Sequence, residues 1–217
     1  MSTFNGDKKA GESILGRLEK KLVNTYVSRI PKGIETYHLT AMTVLWSLGM
    51  VFFGYLADKD LFWIWGMSGM LVFQYLTDLF DGAVGRHRNT GLVKWGFYMD
   101  HFLDFIFSSS IVIAYALIAS PGLEFYFLCL LVCSGAFMVN SFLSFASTNE
   151  FTIAYYGLGP TEIRLGYIIL NTIIFFFGAG IFTILIPILL TGAILTLIFL
   201  VYKSQKRLWI MDMKEKS

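Results

Sequence analysis

The sequence predicts an all-α integral membrane protein, with six transmembrane helices preceded by a cytoplasmic amphipathic helix. Three observations predict it. Of the 217 residues, 56% are hydrophobic and only 15% charged, well below the roughly 25% charged fraction of an average soluble domain. Leu165 to Val201 contains no Lys, Arg, Asp or Glu, a run nearly long enough for two crossings at about 20 apolar residues each. When six crossings are drawn, all but one of the 17 Lys and Arg fall on the same side.

The elements follow in chain order. Ile14, Leu15, Leu18, Leu22 and Tyr26 recur at helical spacing, with Arg17, Lys20, Lys21 and Asn24 between them. This pattern fits an amphipathic helix lying on the cytoplasmic leaflet; a packed helix that never touches lipid is the alternative. The segment is polar and basic and lacks a small-residue cleavage site behind a short apolar core, so no cleaved signal peptide is expected. Six apolar segments succeed it: His38 to Ala57, Leu61 to Gly85, Gly91 to Ala119, Leu123 to Ala146, Thr161 to Ile184 and Ile188 to Tyr202. The connections are short, including Leu185 to Pro187, except for a longer loop from Ser147 to Pro160.

Only Lys59 falls on the far side of these crossings. The positive-inside rule then places both termini in the cytoplasm. The chain divides into a cytoplasmic N-terminal segment (1–34), a six-helix transmembrane catalytic domain (35–203) and a cytoplasmic basic tail (204–217). A net charge of +2 gives no reason to expect a nucleic-acid partner. Cys129 and Cys133 lie four apart in an apolar run without His or acidic neighbours, as packing residues would.

Four acids stand where acids are costly: Asp78, Asp81, Asp100 and Asp104. Spacings of three and four put each pair on one helical face, and a tight turn near Arg88 and Asn89 lets the two faces meet. At about 1.5 Å per residue the cluster lies on the order of 10 to 20 Å from the turn, in a pocket open to the cytoplasm. Burying four carboxylates costs on the order of 10 kcal/mol without partners, and Arg86, Arg88, Lys94 and Arg164 all lie toward the mouth. Oxygen-only ligands suit Mg2+ or Mn2+, and two such ions would balance the charge. Gly82, Gly85 and Gly96 flank the acids at one-turn spacing. Missing side chains there open a cleft for a phosphorylated ligand, or simply allow close helix packing.

The stretch from Asp78 to Asp104, DLFDGAVGRHRNTGLVKWGFYMDHFLD, resembles the CDP-alcohol phosphotransferase (CDP-alcohol phosphatidyltransferase) signature, DxxDGxxAR followed by GxxxDxxxD. Seven of the eight fixed positions agree, and nine residues separate Arg86 from Gly96. The family alanine is replaced by Gly85, a change expected to enlarge the cleft slightly, and Tyr37 stands where relatives often carry an asparagine. GPTEIR, from Gly159 to Arg164, also looks like a family feature.

The resemblance implies a six-helix membrane enzyme, usually dimeric, that moves a substituted phosphate from a CDP-linked donor to an alcohol acceptor and releases CMP. One substrate is usually a lipid. It implies that Asp78, Asp81 and Asp100 hold two Mg2+ (or Mn2+) ions, and that Asp104, also able to ligate metal, accepts the proton of the attacking hydroxyl. By the same resemblance Gly82 and Gly96 admit the nucleotide and Arg86 holds phosphate. Arg164 either holds phosphate or anchors a helix end. MDHFLD and GPTE resemble the aminoalcohol branch, whose acceptor is diacylglycerol; the other branch transfers a phosphatidyl group to glycerol phosphate, serine or inositol. An intramembrane prenyltransferase acting on a pyrophosphate is the alternative enzyme, although its acidic motifs normally lie farther apart. A divalent cation transporter would leave Gly82, Gly96 and Arg86 unexplained.

Overall fold

The computed structural model describes residues 16–148 and 160–215. Among these residues the chain forms seven α-helices and no strand: α1 (Gly16–Tyr26), α2 (Thr36–Lys59), α3 (Ile64–Arg88), α4 (Val93–Ile118), α5 (Glu124–Thr148), α6 (Pro160–Phe177) and α7 (Phe182–Glu215). Long apolar runs with few internal breakers leave the backbone no better partner than itself, so helix is the form they take. Six of the helices fall on the six predicted segments. Three of them, α2, α4 and α5, together with the run Ala179–Lys214, are long and apolar enough to cross a membrane. The other two are α3, with Asp78, Asp81, Arg86 and Arg88, and α6, with Glu162 and Arg164; α4 carries Lys94, Asp100 and Asp104 as well. The chain is an integral membrane protein.

Helix α2 packs against both α3 and α4, while α3 also meets α6, and α5 bridges α4 to α7. Close approach depends on small residues. A Cβ at Gly54 would lie 2.7 Å from the Ala114 Cβ, so this pair brings the α2 and α4 backbones together. Met50, Ile64, Met67, Leu71 and Phe182 fill the core. A buried polar chain ties three helices: the Tyr115 hydroxyl donates to Asn171 Oδ1 at 2.7 Å, and Asn171 Nδ2 donates to Ser68 at 2.9 Å.

The structure corrects one sequence-based boundary. The break between the fifth and sixth segments was expected at Leu185 to Pro187, but it falls at Gly178 and the short 3₁₀ turn Ala179–Ile181, with Pro187 inside α7. Gly178 adopts φ of 83°, a left-handed conformation that favours glycine and halts a helix, whereas α7 continues through Pro187, its sixth residue. Helix α7 itself runs on past Tyr202 to Glu215. In α1, Leu18 and Tyr26 are exposed while Glu19, Leu22 and Val23 turn inward. Leu22 and Tyr26 also line, with Leu76 and Phe80 of α3, an apolar groove. Thus α1 is a packed helix as well as an amphipathic one. Ile14, Leu15, Gly159 and most of the Ser147 to Pro160 loop lie outside the described residues.

Candidate active site

The α3–α4 hairpin places the acids. Asn89 ends α3 in the left-handed conformation (φ 56°, ψ 34°), and the Thr90 N–H donates to the Gly85 carbonyl at 3.1 Å. These satisfy carbonyls that the helix end would otherwise leave open. Arg88 braces the turn from outside. Its guanidinium donates to the carbonyls of Ile30, Pro31 and Ile34 at 2.9, 3.0 and 2.6 Å, and it faces Glu35 at 3.6 Å. The linker entering α2 is therefore fastened to the end of α3.

Antiparallel α3 and α4 bring Asp78, Asp100 and Asp104 together, with one carboxylate oxygen from each lying within 4.8 Å of the others. All three are half-buried. Oxygens on one Mg2+ stand about 3 Å apart as neighbours and about 4.2 Å apart on opposite sides, so the three side chains would have to draw inward by about 1 Å to share an ion. The donor set is all carboxylate, which fits Mg2+ or Mn2+.

Asp81 is placed differently. Only 7% exposed, it points toward α2, where Thr40 Oγ1 donates to its Oδ2. Thr36 Oγ1 donates to its backbone carbonyl at 3.2 Å. Gly85 makes this approach possible, because a Cβ there would lie 2.9 Å from Thr36 Oγ1 and 3.1 Å from the Gly91 Cα. The expectation that glycine at this position enlarges a cleft is corrected: the space is filled by α2 and by the turn.

Arg164 was expected at the pocket mouth, but its Nη2 donates to Asp78 Oδ2 at 2.7 Å, with only 13% of its side chain exposed. Its guanidinium also lies 5.9 Å from the Tyr75 ring centroid. Beside it, Thr161 donates to Glu19, fastening α6 to α1. Arg86 is exposed and folds back over Gly82, where a Cβ would meet Arg86 Nη1 at 3.1 Å. Nothing lies within 4 Å of a Cβ built at Gly96, so the backbone there is open to a ligand. Tyr37 is exposed. His101, adjacent to Asp100 in sequence, donates from Nδ1 to the Phe97 carbonyl at 2.7 Å.

Thr36, Thr40, Arg88 and Glu19 were not legible as site residues. For the threonines a signal existed, because Thr36, Thr40, Thr43 and Ser47 recur at helical spacing in an otherwise apolar helix, and all four are buried. Such a stripe marks the face turned toward polar neighbours.

No curated protein sequence matches the chain. A family-wide profile described as CDP-alcohol phosphatidyltransferase matches residues 37–204, a span that holds all four aspartates, Thr40 and Arg164. With that span covering most of its length, the chain belongs to the CDP-alcohol phosphatidyltransferase family.

Proposed function

We propose that this protein transfers a substituted phosphate from a CDP-linked donor to an alcohol, one of the two substrates being a lipid, at a site facing the cytoplasm. Family membership makes it a phosphotransferase of phospholipid synthesis in a family that uses divalent metal. The observation that carries the fuller reading is the gathering of Asp78, Asp100 and Asp104 on one hairpin, with Arg164 against Asp78. Six crossings, cytoplasmic termini and a homodimer complete the proposed arrangement, supported by the charge distribution and by the resemblance.

In this reading Asp78, Asp81 and Asp100 hold two Mg2+ (or Mn2+) ions, with Asp104 within ligating reach. Divalent cations held there would offset charge on the pyrophosphate as the leaving phosphate forms. Asp81, hydrogen-bonded by Thr40, enters the site already oriented. Open backbone at Gly96 and the missing side chain at Gly82 admit the nucleotide, and Arg86 and Arg164 bind phosphate oxygens. The acceptor hydroxyl oxygen bonds to the phosphorus that carries the donor's alcohol, and the bond from that phosphorus to the bridging oxygen breaks. CMP leaves with that electron pair, and the hydroxyl proton passes to Asp104.

The experiment is transfer from a panel of CDP-linked donors by the purified full chain in lipid nanodiscs, following CMP release and the lipid product. It is paired with lipid profiling after deletion of the gene. Turnover that needs Mg2+ or Mn2+ and stops with chelator is expected. Undiminished transfer in excess chelator sinks the metal assignment, and no CMP release from any donor sinks the reaction.

A further inference from the structure

Between α4 and α5 lies a groove of about 410 Å³ to which no role has yet been given. Its walls are apolar and largely aromatic, with Phe97, Phe102 and Phe105 from α4 facing Met138, Val139 and Phe142 from α5. We propose that this groove holds a hydrocarbon chain of the lipid substrate, and the proposal rests on the phosphotransferase reading above.

Size is the first argument. An apolar cavity of about 150 Å³ takes benzene, so the same packing gives this groove room for about sixteen carbon atoms, the length of an ordinary acyl chain. Gly135 provides the depth. A Cβ there would lie 3.7 Å from the Phe105 ring, in ordinary contact, so any longer side chain would grow into the groove.

Position is the second. His101 and Phe105 each follow a site aspartate by one residue, which turns the groove about 100° around α4 from the carboxylates at nearly the same depth. A lipid whose reacting group sits beside Asp104 has its chains directed along this face. The outer rim is formed by Tyr98, Phe102 and Val139, all exposed, so a chain can enter sideways from the bilayer.

Polarity is the third. His101 is the one strongly polar side chain of the lining. Its ring is held by the Nδ1 bond to Phe97 and by an edge contact with Phe142, the centroids 5.8 Å apart. The groove thus carries its polar group level with Asp100, and the apolar wall formed by Phe102 and Phe105 continues one turn deeper along α4 for a chain to follow.

The test fills the groove in the full-length protein. Val139→Trp and Gly135→Leu block it, and Gly135→Ala is the control that leaves it open. KM and kcat are measured for lipid substrates with long and with six-carbon chains, and for the water-soluble substrate. Each buried methylene is worth about fourfold in affinity, so the blocked variants should raise KM for the long-chain lipid on the order of tenfold or more. The six-carbon lipid and the water-soluble substrate should change by less than about threefold. Equal loss at both chain lengths overturns the proposal. So does a change in oligomeric state without chain-length discrimination, which would make this face a contact between protomers. A photoactivatable long-chain lipid supplies a readout that does not need turnover: it should label α5 in the native protein and not in Val139→Trp. If no CDP donor supports transfer but the labelling behaves this way, the reaction assignment fails while chain binding stands; absence of labelling overturns the groove itself.

Discussion

Arg164 and a divalent ion compete for Asp78, and removing the arginine should have opposite effects on metal and on donor. The Arg164 guanidinium lies 2.7 Å from Asp78 Oδ2, with the two side chains 13% and 27% exposed. A dication ligated by the same carboxylate would stand about 5 Å from the guanidinium, and at an effective dielectric of about 20 the two repel by about 7 kcal/mol before anything relaxes. Arg164 must swing away, and the ion loses part of its binding energy in displacing it. Arg164→Gln should therefore bind Mn2+ about tenfold or more tightly in the absence of nucleotide, a conservative fraction of that repulsion at about 1.4 kcal/mol per decade. CDP-donor affinity at saturating metal should fall, because one phosphate ligand is gone. The metal-free variant should also be less stable by about 1 to 3 kcal/mol, between the values for exposed and for buried ion pairs, and Mg2+ should restore more stability to it than to the native chain. Calorimetric or spin-resonance titration with Mn2+, donor binding and thermal unfolding in one lipid system decide the matter. Unchanged or weaker Mn2+ binding by a folded Arg164→Gln refutes the competition.

Three further outcomes are expected. Asp100→Asn should weaken Mn2+ binding and turnover together, whereas Asp104→Asn should slow single-turnover chemistry by about 10² to 10⁴, the range for losing a positioned general base, while donor binding with metal largely survives; equal loss of metal affinity in both erases the distinction. Gly85→Ala restores the family residue, yet a Cβ 2.9 Å from Thr36 Oγ1 and 3.1 Å from the Gly91 backbone should destabilise the protein by about 1 to 3 kcal/mol, read by thermal unfolding; a neutral effect would mean that α2 yields freely. Asn171→Leu removes the shared partner of the Tyr115 and Ser68 bonds and should cost about 1 to 2 kcal/mol without changing metal affinity, which separates a structural clip from the site.

Much of this organisation was written in spacing. All four aspartates could be brought together on paper because a hairpin with helical period aligns two acidic faces; Asp78, Asp100 and Asp104 meet in the structure, whereas Asp81 turns toward Thr40 of α2. That the apolar segments form helices was legible too, because backbone hydrogen bonding in an apolar setting leaves little choice of form. What was not legible depended on individual contacts. The helix break went to Gly178 and not Pro187 because backbone conformation, which no spacing rule reads, decides where a glycine acts as a stop. Arg164 carried its charge openly in the sequence, but its reach to Asp78 depends on α6 lying against α3, a packing relation between segments 86 residues apart. Thr40 was hidden because its role exists only opposite Asp81.

That last contact divides the two aspartates of α3 more sharply than their shared face suggests. Asp81 is held by a neutral hydroxyl, with the Arg86 charge acting on it only from farther off, so an arriving cation has no guanidinium to displace from it and finds a carboxylate already oriented by its neighbour. Asp78 is held by a guanidinium that has to leave first. Asp81 is thus the fixed half of the proposed metal site and Asp78 the exchangeable half, and the two partners predict different failures. Thr40→Val should leave the Arg164 exchange intact but lower metal affinity by about 10- to 100-fold, the usual cost of losing an outer partner of a metal ligand. Thr40→Ser, which keeps the hydroxyl, should restore it. If Thr40→Val binds Mn2+ as the native protein does, Asp81 is not a ligand that Thr40 positions, and the metal is held by the three acids that the hairpin alone brings together.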